Sequence, residues 1–262
     1  MTLAFNLSLA GYLTALLFSV ANVFSSKRRF GIVVTLFLTA GVVAQTVYMI
    51  WRWAEAGRAP FSNMFESLVL FAWAVVAVYL ALRVKLDIPA LGAATALLAA
   101  LTLAYASTYH DSAIKPLMPA LRSNWLAFHV LTVFLGYGGF GVAFASSVGY
   151  LITANRRTEL AEAFDAATAK TISFGFLFLT VGIISGAVWA NSAWGTYWSW
   201  DPKETWSLIT WFVYAVFLHC RFMRGWKGQR AAWISVVGFA SVIFTYFGVN
   251  YLLSGLHSYA NA

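Results

Sequence analysis

Charged side chains are scarce in this sequence. Only 10% of the 262 residues are Asp, Glu, Lys or Arg, whereas 61% are hydrophobic and 18% are aromatic. A soluble domain averages about 25% charged and about 45–50% apolar residues. The composition therefore excludes an ordinary soluble domain and predicts an integral membrane protein.

Cysteine and histidine, which often bind metals or carry nucleophilic chemistry, are also rare. Cys220 is the single cysteine. It has no partner for a disulfide within the chain and stands beside an apolar run and a basic cluster, so we assign it no thiol chemistry. The four histidines show no His-x-x-x-His spacing, and His129 and His257 have no cysteine nearby. A bare zinc site is therefore not expected.

The apolar residues form eight long runs. A helix needs about 20 residues to cross a bilayer core of about 30 Å, and each run is at least close to that length. The runs span roughly residues 3–24, 31–53, 64–84, 88–108, 125–153, 171–190, 204–223 and 231–254. They predict an all-α integral membrane protein, a bundle of eight transmembrane helices in one domain over residues 1–262. No basic residue precedes the first run and no cleavage site is evident, so we expect a retained helix and not a signal peptide.

The net charge is +8, but the basic residues stand in short clusters between the runs, where topology explains them better than nucleic-acid binding. With the N-terminus outside, twelve of the seventeen basic residues fall in inner loops. These residues are Lys27, Arg28, Arg29, Arg83, Lys85, Arg156, Arg157, Lys170, Arg221, Arg224, Lys227 and Arg230. The positive-inside rule then predicts both termini on the outer, periplasmic side. The expected location is the bacterial inner membrane, or the thylakoid membrane for a plastid or cyanobacterial protein.

Some segments raise narrower expectations. The fifth run, about 29 residues or about 43 Å long, must tilt or project beyond the hydrocarbon. Its glycines predict close helix packing, not a phosphate loop; they are Gly136, Gly138, Gly139 and Gly141.

Residues 154–170 are predicted as an inner connecting segment, either a surface helix or a connector. In the outer loop before the third run, Asn63 followed by Glu66 predicts a helix cap, although this helix start also suits a ligand pocket. His110, in the next outer loop, is expected to be solvated or packed.

The most unusual stretch lies before the seventh run. The thirteen residues from Trp194 to Trp206 include four tryptophans, Tyr197 and Asp201. Residues 191–206 are called the tryptophan-rich loop below. Its aromatics are either an interfacial belt that anchors helices or a preformed platform for a flat apolar ligand. Asp201, followed by proline and then by glutamate at the third helical position, predicts a capped helix start; such a cap does not exclude a ligand role.

Three histidines lie where an imidazole is costly or conspicuous. His129 is about 6 Å inside the fifth run from its outer end, and His257 follows the last run at the same outer level as the tryptophan-rich loop. His219 stands about 22 Å further toward the inner face than Glu204. A single such histidine is either a hydrogen-bonded link between helices or a functional residue. Two at one level suit the axial positions of a haem iron, and a porphyrin would also explain the aromatics and the outer basic residues.

These residues match a known pattern. The run from Trp194 to Glu204, continuing to Trp206 and His219, resembles the WWD signature of the haem-handling proteins of cytochrome c biogenesis. The eight runs resemble the CcsA (ResC) type within that superfamily. So do three shorter segments: Pro60 to Leu68, Trp125 to His129, and Gly255 to Tyr259.

The resemblance implies that the loop holds haem b on the outer face, with His129 and His257 as axial ligands of the iron. By position, His219 corresponds to the histidine of a site where haem enters within the membrane. The loop residues implied in haem binding are Trp194, Tyr197, Trp198, Trp200, Asp201 and Trp206.

The activity implied is that of one subunit of a cytochrome c synthase, working with a CcsB (ResB) type membrane protein. Reduced haem is presented to the Cys-x-x-Cys-His segment of apocytochrome c, where its vinyl groups form thioether bonds with the cysteine thiols. No acid or base in the chain is an obvious catalyst, so we expect catalysis by positioning. Three alternatives stay open: CcmC-like transfer of haem to a chaperone, which eight runs disfavour; a membrane scaffold; and a transporter of another flat amphipathic molecule such as a quinone.

Overall fold

The computed structural model describes residues 2–25, 28–83, 88–109, 113–114, 121–155 and 158–253. Over these ranges the regular structure is helical and contains no strand. The elements are α1 (Thr2–Ser25), α2 (Arg28–Ala56), α3 (Met64–Leu82), α4 (Pro89–Ser107), α5 (Asn124–Thr153), α6 (Thr158–Trp194), α7 (Pro202–Met223), α8 (Gln229–Ile243), a π-helical turn (Phe244–Gly248) and α9 (Val249–Leu252).

Eight of the helical segments are long and apolar enough to cross a membrane. This confirms the all-α fold class and the eight predicted spans. The last span, Gln229–Leu252, is built from α8, the π-helical turn and α9. The 30 residues of α5 give a helix of about 45 Å, the excess length expected from the fifth run.

The connection before the sixth span is helical for most of its length. Residues 154–170 are predicted as an inner connecting segment, but α6 begins at Thr158 and continues unbroken for 37 residues. Residues 158–170 hold five alanines and no glycine or proline, so their helix propensity is high. Phe164 is 2% exposed, and its carbonyl accepts a hydrogen bond from Ser146 Oγ of α5 at 2.9 Å. From Thr158 onward the segment is continuous with the sixth span, so it is neither the separate surface helix nor the connecting loop that was expected.

The sequence predicts one membrane domain, whereas the helices form two compact units, Met1–Lys115 and Pro116–Ala262. In the first unit α3 is the most buried helix. Gln45 of α2 connects this unit through polar contacts, because it accepts a hydrogen bond from Tyr12 Oη of α1 and donates one to the Val69 carbonyl of α3 at 2.7 Å. The helices that precede and follow α2 in the sequence are thereby both held against it.

In the second unit α5 and α6 cross at glycines. A Cβ on Gly136 would lie 3.0 Å from the Gly175 carbonyl oxygen, and a Cβ on Gly139 would lie 3.0 Å from Gly175 Cα. Both distances are shorter than ordinary side-chain contacts, so the two backbones approach this closely only without side chains. The predicted packing role of these two α5 glycines is confirmed. Phe140 of α5 stacks on Tyr214 of α7, with ring centroids 3.6 Å apart.

Candidate functional site

The tryptophan-rich loop is non-helical for seven residues. α6 ends at Trp194 and α7 begins at Pro202, and within the intervening segment Gly195 and Trp200 have left-handed backbones with φ of +77° and +61°. Glycine adopts this conformation freely, whereas it costs a residue such as tryptophan about 1–2 kcal/mol. The surrounding contacts must therefore hold Trp200 in place; one of them is the hydrogen bond from Thr205 Oγ1 to its carbonyl at 3.3 Å.

The start of α7 fixes the other end of the loop. Asp201 is 7% exposed, and its carboxylate accepts a hydrogen bond from the Lys203 amide at 3.0 Å. Glu204 completes the capping box by accepting from the Asp201 amide at 3.1 Å. The predicted cap role of Asp201 is confirmed. Glu204 also accepts from the Ser199 amide at 2.8 Å, a contact that the capping pattern did not predict and that reaches back into the loop.

The outward surface of the loop is aromatic. Trp200 is 69% exposed and Tyr197 is 60% exposed, and Trp198 meets Trp200 edge to face with ring centroids 5.8 Å apart. Exposed aromatic rings on a backbone fixed at both ends form a preorganised apolar platform. A platform for a flat ligand stays a prediction, as does an anchoring belt.

The other two tryptophans of the loop pack against helices. Trp194 meets Trp189 of α6 at a centroid distance of 4.8 Å. Trp206 meets Phe244 of the π-helical turn at 4.1 Å. These two rings support the loop from beneath, while Tyr197, Trp198 and Trp200 form its outward part.

His129 is held in a defined orientation and tautomer. The imidazole, on α5, makes a hydrogen bond from Nδ1 to the Gly182 carbonyl oxygen of α6 at 2.7 Å. A carbonyl oxygen only accepts, so Nδ1 is the protonated nitrogen, and in the neutral ring Nε2 carries the lone pair. Metal-binding histidines are commonly oriented in this way, with one nitrogen donating to a carbonyl so that the other is presented to the metal.

The surroundings of His129 connect it to the tryptophan-rich loop. Its ring lies nearly parallel to Trp189, with centroids 6.1 Å apart and planes at 15°, and Trp189 contacts Trp194 as described above. A Cβ on Gly186 would lie 2.6 Å from His129 Nδ1, so this glycine leaves the space for the imidazole. The predicted ligand His129 and the predicted loop residue Trp194 thus belong to one cluster. Trp189 and Gly186 were not predicted, because neither carries an ionisable side chain and both lie outside the tryptophan-rich loop.

The last span is linked to the start of α7 by a polar contact. Lys203 Nζ donates a hydrogen bond to Asn250 Oδ1 of α9 at 2.6 Å. Asn250 is 1% exposed and donates in turn to the Tyr246 carbonyl at 2.6 Å. The short helix α9 therefore lies against the start of α7, next to the end of the tryptophan-rich loop.

The remaining histidines are placed as follows. His257 and His110 lie outside the described residues. His219 is on α7 and is exposed, on a face where Phe212 and Val216 are 55% and 52% exposed. The structure does not bring His219 into the cluster around His129, in agreement with its predicted separation from the outer level.

In the first unit, Glu66 of the segment from Pro60 to Leu68 forms a charged cluster with two arginines that precede the segment. Asn63 caps α3 by accepting from the Glu66 amide at 2.8 Å, which confirms the predicted cap. The Glu66 side chain, fully buried, pairs with Arg52 Nε at 2.8 Å and with Arg58 Nη1 at 3.1 Å. Its carboxylate also accepts from the Ser62 amide at 2.9 Å. These contacts account for the segment structurally, and its alternative role in a ligand pocket stays a prediction.

Comparison with known proteins gives a consistent result. The family described as cytochrome C assembly protein matches residues 61–257. A cytochrome c biogenesis protein CcsA from Synechococcus sp. (strain RCC307) is 40% identical over 87% of this chain and 84% of its own length. A protein of the same description from Gloeobacter violaceus is 39% identical over 79% of this chain and 80% of its own length.

A similar fold occurs in a solved structure, the cytochrome c heme lyase CcmF. It superposes on 94% of this chain with a TM-score of 0.71 at 20% sequence identity. The present chain spans 46% of the length of CcmF. At this level of identity the similarity shows a shared fold.

Proposed function

Because the chain belongs to the cytochrome c assembly protein family, we propose that it acts in cytochrome c maturation by binding haem b at the tryptophan-rich loop and presenting it to apocytochrome c. The observation that carries this proposal is the fixed His129 imidazole, whose Nδ1 donates to Gly182 at 2.7 Å. An imidazole oriented in this way beside an aromatic platform has the donor atom and the apolar surface that a haem requires.

We propose His129 and His257 as the two axial ligands. Two neutral imidazoles hold the iron while the exposed rings of Tyr197 and Trp200 and the half-buried ring of Trp198 cover the macrocycle and keep water from it. The histidine of the Cys-x-x-Cys-His segment then replaces one of the two. The position of Asn250, which is buried and bonded to Lys203, supports a role for the segment after it at this site.

The chain acts by positioning the reactants. Each thioether forms by addition of a cysteine S–H across a haem vinyl group, which makes one C–S and one C–H bond and releases nothing. Both thiols belong to apocytochrome c, so the chain needs no nucleophile of its own, in accord with its single cysteine, Cys220. The rigid loop between Gly195 and Glu204 supplies the orientation that brings vinyl and thiol together.

We propose a second membrane protein, of the CcsB (ResB) type, as the partner of this chain. Support comes from α7, the least buried of the eight spans, whose exposed side includes His219. An imidazole facing lipid leaves polar nitrogens unsatisfied at a cost of several kcal/mol. A partner helix over this side would remove that cost and place His219 in a site through which haem reaches the loop. We propose that the loop faces the periplasm, or the lumen in a thylakoid membrane.

The experiment that tests the proposal is absorption spectroscopy of the chain purified with its membrane partner from haem-replete cells. The wild type should show a Soret band with low-spin features of two axial histidines, and the haem should be extractable without covalent attachment. The variant His129→Ala/His257→Ala should lose these features. His219→Ala should lower haem occupancy and leave the ligands of the remaining haem unchanged.

His110→Ala is the matched control, since this histidine has no proposed ligand role, and its spectrum should equal that of the wild type. A colourless wild-type complex would refute haem binding. An unchanged spectrum in the double variant would refute the assigned ligands, and wild-type occupancy in His219→Ala would refute its proposed role.

A further inference from the structure

A positively charged turn joins α7 to α8. Residues 224–230, called the basic turn below, contain Arg224, Lys227 and Arg230 and no acidic residue. All three cations are exposed, and within the described parts of the chain none of them forms an ion pair. The turn therefore carries three positive charges that no ion pair among the described residues neutralises.

The basic turn is held in a fixed conformation. The Gly228 amide donates to Asp165 Oδ1 of α6 at 2.7 Å, and Arg221 Nη2 pairs with the other carboxylate oxygen of Asp165 at 2.7 Å. Arg221 Nη1 also donates to the Trp226 carbonyl at 3.2 Å. Asp165 is thus occupied by Arg221 and does not offset the charge of the turn. The three exposed cations project from a backbone that is already ordered.

The neighbouring side chains place the turn at the edge of the hydrocarbon. Phe222 and Met223, in the last turn of α7, are 67% and 75% exposed, and such side chains belong in the apolar part of the bilayer. Trp226 is 36% exposed and has the guanidinium of Arg230 over its ring at 5.6 Å. Tryptophan and arginine are both favoured at the level of the lipid headgroups.

We propose that the basic turn binds the phosphate groups of anionic phospholipids, with Arg224, Lys227 and Arg230 as the contacts. A lipid satisfies both features of this surface in one molecule, because its phosphate meets the cations and its acyl chains cover Phe222 and Met223. An acidic segment of a partner protein would satisfy the charges alone. Basic residues next to a membrane gain about 1 kcal/mol each from anionic lipids. The proposal is independent of haem binding.

The test is a titration of phosphatidylglycerol into the purified full-length chain, followed by native mass spectrometry, with phosphatidylcholine as the neutral lipid. The wild type should retain phosphatidylglycerol in preference to phosphatidylcholine. Arg224→Gln/Lys227→Gln/Arg230→Gln should weaken phosphatidylglycerol binding by roughly fivefold for each charge removed. The charge-conserving variant Arg224→Lys/Arg230→Lys should keep the preference.

Arg29→Gln is the matched control, because Arg29 is also exposed at a helix end and is predicted on the same side of the membrane. Its preference should equal that of the wild type. The proposal is overturned if the triple variant binds phosphatidylglycerol as tightly as the wild type, or if Arg29→Gln weakens binding equally. It is also overturned if the triple variant keeps its lipid preference and loses haem, since the turn would then serve the propionates of haem.

Discussion

At the scale of single residues, the orientation of the His129 imidazole depends on two glycines of α6. Gly182 supplies the carbonyl that accepts from Nδ1 at 2.7 Å, and Gly186 leaves the volume in which the ring lies. A Cβ on Gly186 would stand 2.6 Å from Nδ1. The ring has to move if this position gains a side chain.

Gly186→Ala should therefore displace the imidazole and weaken its bond to Gly182. Overpacking of this kind costs about 1–3 kcal/mol. We expect a lower thermal midpoint and an altered haem absorption spectrum, measured on the purified complex. Gly31→Ala is the control, because its Cβ would meet its nearest neighbour at an ordinary 3.7 Å; an equal spectral change in that variant would contradict the prediction.

Two variants of Trp200 distinguish the contribution of this residue to loop stability from its contribution to haem binding. Its φ of +61° suits glycine better than alanine by about 1 kcal/mol. Trp200→Gly should therefore unfold at a higher temperature than Trp200→Ala, although both variants lose the same exposed ring. Haem retention should fall equally in the two. If retention followed thermal stability instead, the ring would have a structural role and not a binding role.

Sequence patterns identify residues of this site but not their partners. Asp201, Pro202 and Glu204 lie close in sequence, so their capping geometry was predictable from spacing alone. His129 and Gly182 are 53 residues apart, and no periodicity relates two positions on different helices. Glycine is also common in transmembrane helices, so Gly182 and Gly186 did not stand out among the 19 glycines of the chain.

At the scale of helices, the π-helical turn Phe244–Gly248 determines which residues of the last span face α7. A π turn adds one residue to the helix and so rotates every later residue by about 100° relative to an uninterrupted α-helix. With this rotation Asn250 becomes 1% exposed and meets Lys203. The eight spans were predictable from the lengths of the apolar runs, whereas the π turn arises from packing and has no sequence signal that we recognised.

Asn250→Ala should leave the half-buried Lys203 ammonium without this acceptor, at a cost of about 1–3 kcal/mol. We expect a lower thermal midpoint and weaker ligation by His257, seen as a partial loss of the low-spin haem signal. Asn250→Asp restores an acceptor and should recover most of the signal. Leu252→Ala, at a position 73% exposed on the same short helix, is the control. Normal ligation in Asn250→Ala would show that the contact does not position His257.

At the scale of the whole molecule, the spans differ in how much of their surface is buried against other parts of the chain. α3 is largely enclosed by its neighbours, while α7 is the least buried of the eight. The sequence predicted neither this difference nor the division into two units, because hydropathy does not distinguish contact with protein from contact with lipid.

Val216→Trp should interfere with the proposed partner, because this residue is 52% exposed on the same side of α7 as His219. The larger ring would separate two packed helices, and the yield of partner that co-purifies should fall several-fold. Leu177→Trp is the matched control on α6, where the side chain is 61% exposed, and lipid should accommodate it. Equal co-purification of the partner with both variants would indicate that α7 faces lipid.

The long helix α6 connects the basic turn to the candidate haem site. This one helix contains Asp165, which holds the basic turn, and Trp189, which supports the candidate haem site, and about 36 Å of continuous helix separates them. No proline interrupts its 37 residues, so it behaves as a stiff rod. A tilt of about ten degrees at one end displaces the other end by about 6 Å over that length. Because bilayer thickness sets the tilt of a long helix, we expect a change in thickness to shift the Gly182 carbonyl that orients His129.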